Sequence, residues 1–293
     1  MSTVELPVVV GVDGSEPSLR AADFAADEAA LRGVPLRVVY ACRWDRYEGA
    51  ALAHELGKPS EEVLPQDVVA GATRRVHARH PDLKVSTDVV FEEPEYVLVH
   101  EGRNASVLVV GSRGRSGMAE LLLGSVSLTA AAHADCPVIV LRGNHDNRAS
   151  RGREGRVVVG VGEHPQERVA LRFAYEEARR RGVPVEAVRA WRCPAHESTD
   201  HPLLSDAPAR LHEEQAEKVL AEALRDAPPD VEVRRRTVEG PARRVLMDAA
   251  HGADLLVVGA ERRSGLIGLQ LGRVTHTALH HSPCAVAVVP HRA

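Results

Sequence analysis

The chain says most of what it has to say twice. Residues 8–15 read VVVGVDGS and residues 157–164 read VVVGVGEH; residues 107–117 read VLVVGSRGRSG and residues 255–265 read LLVVGAERRSG. The copies are offset by 149 positions at Gly11 and Gly160, and by 148 at Gly111 and Gly259. A repeat of this length makes the folding unit about half the chain, large enough to bury its own core. The copies also act as an internal control. A residue kept in both is one the fold needs, and a chemically special residue kept in one belongs to a function the other lacks.

That core has to be aliphatic, because only 3% of the residues are aromatic while 44% are hydrophobic. The 37 basic residues, all but Lys58, Lys84 and Lys218 arginine, face 41 acidic ones for a net charge of −4, which argues against a polyanionic partner such as nucleic acid. No apolar run approaches the 18 or so residues of a membrane span, and MSTVELP leads straight into a strand-like run. Four cysteines without a C-x-x-C pair fit a reduced, cytoplasmic setting. Cys136 and Cys284 stand at equivalent places before each copy's last strand and read as buried structural thiols.

Short β-branched runs alternate with helical patterns. Residues 7–12, 35–41, 84–90, 106–110 and 137–141 read as strands; 16–32, 60–80, 94–103 and 125–134 read as helices. The second copy repeats the order, with strands near 156–161, 184–190, 231–238, 254–258 and 284–289. Several strands are continuous apolar runs, as parallel strands covered on both faces should be. The fold class is therefore α/β, two tandem doubly wound parallel sheets with right-handed crossovers and helices on both faces. The expected domains are 1–142 and 156–293, joined by a Gly- and Arg-rich linker over 143–155; 43–59 and 192–206 read as surface excursions.

In the first copy, strand 106–110 runs into Gly111-Ser-Arg-Gly114, and nine residues later Gly124-Ser125-Val126-Ser127 opens a helix, giving G-x2-G-x9-G-S. Glycines let backbone N–H groups converge on a ligand, and a helix start favours an anion. The pattern is neither a Walker loop, which needs a lysine, nor the G-x-G-x-x-G dinucleotide fingerprint. Asp13, at the end of the first strand, faces the same crevice if the first and fourth strands are neighbours, because doubly wound sheets bind ligands at strand carboxyl ends. A simpler, compatible role for Asp13 is to cap the 16–32 helix.

The VVGVDGS start, the SVLVVGSRG strand end and G-x2-G-x9-G-S together resemble the universal stress protein family, across essentially the whole chain as a tandem pair. The resemblance implies a five-stranded parallel sheet of order 3-2-1-4-5 in each domain, and ATP binding, with or without magnesium, for the subgroup with this glycine motif. Carried over residue by residue, it implies base recognition at Val12, Asp13 and Ala41, and phosphate and ribose contacts at Gly111, Arg113, Gly114, Gly124, Ser125, Val126 and Ser127. It also implies edge-to-edge pairing of last strands, within the chain as a pseudo-dimer or between chains as a homodimer, and an unidentified regulatory protein partner. The second copy departs at the critical points: Asp13 becomes Gly162, Gly114 becomes Arg262 and Ser125 becomes Arg273. Arg262 should bring a long side chain and a φ penalty to a place that needs bare backbone.

No catalytic residues emerge. There is no G-x-S-x-G elbow, and no general base or lysine stands beside the loop. The expectation is an ATP-binding stress-response regulator rather than a fast enzyme, with slow ATP hydrolysis or adenylyl transfer, or a nucleotide-free scaffold, as the alternatives. Cys193, His196, Asp200 and His201 superficially suggest zinc but lack a second ligand pair, so no metal site is expected. His276, His280 and His281 read as one exposed helix face, and the arginine runs at 179–181 and 234–236 as solvated faces.

Overall fold

Valine builds both sheets. In the computed structural model, which describes residues 6–44, 64–113, 123–142, 155–163, 168–193, 207–262 and 271–292, the runs at Val8–Val10 and Val157–Val159 have no exposed surface. Each such side chain contributes about 1.5–3 kcal/mol by leaving water. The chain divides into two units, Met1–Ala149 and Ser150–Ala293.

In the first unit the elements follow as β1 (Val8–Val12), α1 (Glu16–Arg32), β2 (Leu36–Ala41), α2 (Pro65–Arg79), β3 (Val85–Val90), α3 (Pro94–Glu101), a 3-10 turn at Gly102–Asn104, β4 (Val107–Gly111), α4 (Ser125–His133) and β5 (Val138–Leu141). All strands are parallel, in the spatial order β3-β2-β1-β4-β5, with Val10 opposite both Val38 and Val109. This is the order that the resemblance implies. Helices α1 and α2 pack together, as do α3 and α4.

The second unit runs β6 (Val157–Gly160), α5 (Arg168–Arg181), β7 (Val185–Trp191), α6 (Ala207–Ala223), β8 (Val233–Glu239), α7 (Ala242–Ala249), β9 (Leu255–Arg262), α8 (Arg273–His281) and β10 (Ala285–Arg292). Its order, β8-β7-β6-β9-β10, is the same topology. The two units differ at one end of the sheet. β9 and β10 outrun the expected 254–258 and 284–289, pairing onward through Ala260–Pro290, Glu261–His291 and Arg262–Arg292.

Helix α1 begins at Ser15, whose side chain accepts from the Ser18 N–H, and ends where Gly33 turns left-handed at φ 70°. Its buried face is mostly alanine, so it lies close to the sheet, and two guanidinium clamps tie it to α2. Arg75 takes Asp23, while Arg79 and His80 share Asp27 at 2.6 and 2.7 Å. Burial alone would raise the Asp27 pKa, but the hydrogen bonds from Arg79 and His80 outweigh it and hold the carboxyl below its ordinary value.

The repeat shows what the fold requires. A fully buried glutamate recurs at Glu28 and Glu177, each bound to an arginine four residues on, Arg32 and Arg181. Leu98 and Leu246 reach over Gly11 and Gly160, where a Cβ would stand 2.6 and 2.9 Å from a leucine methyl. One pairing is kept with its charges exchanged. Arg37 on β2 binds Glu101 and Asp88, and the equivalent Glu186 on β7 binds Arg156 and Arg236. The Arg179–Arg181 and Arg234–Arg236 runs are drawn into such ion pairs, to Asp230, Glu176, Glu177, Glu232 and Glu186.

Candidate functional site at the strand carboxyl ends

β1 and β4 lie side by side, so the chemically special residues of the first unit meet at one end of the sheet. Val12 closes β1 opposite Tyr40, and Ala41 closes β2 opposite Val90. Asp13 then turns the chain. Its carboxylate accepts the Ser15 N–H at 2.9 Å and the Ser15 hydroxyl at 2.6 Å, and its own N–H donates to Ser18 Oγ at 3.2 Å. Gly14 between them sits at φ 84°, a conformation side chains disfavour. The cap of α1 is therefore Ser15. Asp13 is the residue that orients the cap, which corrects the simpler role expected for it.

Gly111 ends β4 hard against the same turn. A Cβ here would stand 2.8 Å from the Pro17 carbonyl oxygen and 3.1 Å from the Ser18 nitrogen. Asp13 and Gly111 thus both abut Ser18, and the glycine is required by packing of backbone on backbone. Ser127 is also tied into the fold. Its buried hydroxyl donates to the Gly111 carbonyl at 2.6 Å, and Thr275 makes the same bond to Gly259 in the second unit. The hydroxyl at this position joins helix to strand in both units, α4 to β4 and α8 to β9; the Ser127 N–H stays in the first turn of α4.

Gly124 is different. Its N–H donates to the Ser112 carbonyl at 2.9 Å, φ is −67°, and α4 starts there with no side-chain cap. A Cβ would meet only ordinary contacts, the nearest being Arg113 Cα and Ser112 O at 3.7 Å. Packing leaves this glycine unexplained. Ser125, exposed beside it, donates to Glu95 Oε1 at 2.8 Å, and Val126 follows in the first turn. Gly114 lies outside the described residues.

Sequence reasoning missed Arg142. It follows β5, whose Leu141 carbonyl accepts the Ser112 N–H at 2.8 Å, and so it leaves the sheet beside Ser112 and Arg113. Burial, and then the Arg113 guanidinium, push its pKa down from the ordinary guanidinium value. The only sequence signal was its place, one residue beyond a strand neighbouring the glycine loop.

The second unit treats the same place differently. Arg262 is the last residue of β9, with extended backbone, and among the described residues no side-chain-bearing residue has positive φ. The expected φ penalty is not incurred, because the strand continues where the first unit turns away. Gly259 meets the His291 ring at 3.4 Å, and the buried Nδ1 of His291 has no hydrogen-bond partner among the described residues. His276 and His281 are exposed, but His280 is half-buried and stacks on His276 at 4.4 Å, so these three do not form one exposed face. His196, Asp200 and His201 lie outside the described residues, and among those described no group of three or more His, Cys, Asp or Glu is arranged to hold a metal. Cys136 and Cys284 are buried. No described helix is long and apolar enough to cross a membrane.

Two doubly wound units, one with polar and glycine residues gathered beyond its strand ends, define a tandem α/β protein built on a ligand-binding topology. The universal stress protein family model matches residues 6–142 and again 155–290. A universal stress protein of Mycobacterium tuberculosis is 34% identical over 302 residues, covering 96% of this chain and 96% of that protein. Another from Mycolicibacterium smegmatis is 31% identical over 301 residues, covering 98% of each. The crystal structure of a universal stress protein from Archaeoglobus fulgidus shares the fold, with a TM-score of 0.65 at 19% identity over 97% of this chain and 98% of that one. The chain belongs to the universal stress protein family, as a tandem member.

Proposed function

We propose that the first unit binds ATP and that the chain acts as a nucleotide-dependent stress regulator, the second unit being a degenerate copy that binds none. Val12, Asp13 and Ala41 would take the base side, and Gly111, Arg113, Gly114 and Gly124 through Ser127 the ribose and phosphates. The observation that carries this reading is Arg113 beside the open, uncapped helix start at Gly124, since the second unit keeps such a start at Gly272 and lacks the arginine. A helix start and a guanidinium together suit a phosphate chain. By strand register the second unit has Glu261 where the first has Arg113. Magnesium, when bound with the nucleotide, would supply charge neutralisation between phosphate oxygens.

Titration calorimetry on the full chain is expected to give about one ATP per chain, a stoichiometry matching one intact loop. Gly114→Arg, which copies the second unit's residue, is expected to abolish binding. Undiminished affinity in that variant would refute the assignment. Unchanged ATP after long incubation with magnesium is the result expected of a regulator, and steady ADP release would make it an enzyme.

A further inference from the structure

Arg142 has no counterpart in the second unit and no place among the family-implied contacts. In the first unit, Gly111 pairs with Leu141, so the next residues of the two strands leave the sheet together, Ser112 and Arg113 from β4 and Arg142 from β5. In the second unit Gly259 pairs with Val289, so Ala260, Glu261 and Pro290 take those three positions, and the strands stay paired there. The shared fold thus forms without either arginine. The first unit nonetheless sets both arginines at neighbouring strand ends, with Arg142 half-buried; burial, and then the Arg113 charge, draw its pKa down. Two guanidiniums at neighbouring strand ends beside a helix start suit a multiply charged anion. The Cα of Arg113 lies 3.7 Å from where a Cβ on Gly124 would stand, which puts Arg113 beside the start of α4 and Arg142 at the neighbouring strand end. The carboxylate at that helix start, Glu95, is bound to the Ser125 hydroxyl at 2.8 Å.

We propose that Arg142, acting with Arg113, makes this site selective for nucleoside polyphosphates over monophosphates, with Arg142 taking the distal phosphates. The inference rests on the nucleotide reading above. Its test is calorimetry of the full chain with ATP, AMP and inorganic tripolyphosphate, for the unaltered protein, Arg142→Gln and Arg142→Lys. Arg142→Gln is expected to weaken ATP and tripolyphosphate about tenfold or more, the scale of a lost charge-assisted fork, and AMP by less than about threefold. Arg142→Lys should fall between, since it keeps the charge and loses the planar fork. The unliganded Arg142→Gln protein should melt no lower than the unaltered one, whereas a purely structural arginine would lower the midpoint. An unchanged ATP-to-AMP ratio in Arg142→Gln overturns the proposal. If the unaltered protein binds tripolyphosphate through Arg142 but neither nucleotide, the nucleotide reading falls and the anion role stands. If it binds none of the three, both fall.

Discussion

Gly111→Ala tests whether the loop glycine of the first unit serves the fold, and Gly259→Ala is its built-in control. At Gly111 the new methyl would stand 2.8 Å from the Pro17 oxygen and 2.9 Å from the Pro17 carbon. Contacts of carbon with backbone settle near 3.5 Å or more, so β4 or the start of α1 has to move by about half an ångström. Neither is a free chain end. Ser127 pins the Gly111 carbonyl, and the Asp13–Ser15–Ser18 bonds pin the turn. Overpacking of this kind costs about 1–3 kcal/mol, and removing a glycine from the unfolded chain returns about 0.4–1 kcal/mol of it. The expected net loss is about 1–2 kcal/mol, a fall of about 3–8 °C in the melting midpoint for a unit of this size. At Gly259 the methyl would meet the His291 ring at 3.4 Å and the Ala170 methyl at 3.9 Å, ordinary contacts with side chains. There the two effects nearly cancel, and the midpoint should stay within about 2 °C. Thermal unfolding by circular dichroism, with the single variants side by side, reads both. Equal losses at the two positions, or none at Gly111, would show that backbone approach does not dictate this glycine.

Three further outcomes follow from burial and charge. Asp27 has its folded pKa below the ordinary 3.8, so its stabilising contribution is present above that value and is lost as the pH falls through the folded pKa. The urea midpoint should therefore drop below about pH 4, and Asp27→Asn should lose less over the same range than the unaltered protein; parallel curves would exclude the Arg79–His80 clamp as the cause. Glu177→Ala removes a buried carboxylate from Arg180 and from the nearly buried Arg181, and should destabilise by about 3 kcal/mol in denaturant titration, against well under 1 kcal/mol for exposed Glu232→Ala. The Cys284 thiol, pushed up to about 11 by burial, should resist alkylation at about pH 8 until the protein unfolds, so labelling of the native state would contradict its burial.

The architecture was legible because parallel βα units write themselves locally. Continuous valine runs, the helix stop at Gly33 with its φ of 70°, and the repeat itself each sit within a few residues of one another. The site was legible only as a set of names. Gly111 and Gly124 look alike in sequence, yet one is dictated by Pro17, nearly a hundred residues away, and the other by nothing in the packing. Ser127 reads in sequence as a ligand group, and the structure gives its hydroxyl a bond to the Gly111 carbonyl, which Thr275 repeats on Gly259. Arg142 carried no motif, and it matters only because β5 lies beside β4 in register.

By itself, then, the sequence determined that this chain is two copies of one α/β unit, and that the special residues of the first copy are not all repeated in the second. The tertiary structure decided which glycine packs and which stays open, that Asp13 orients the turn Ser15 caps, and that the second copy continues its strands where the first breaks away. Periodicity and propensity act between near neighbours and can be read in order. Close approach of backbones and crowding of like charges arise between residues far apart in the chain, and they take their meaning only when the sheet has brought them together.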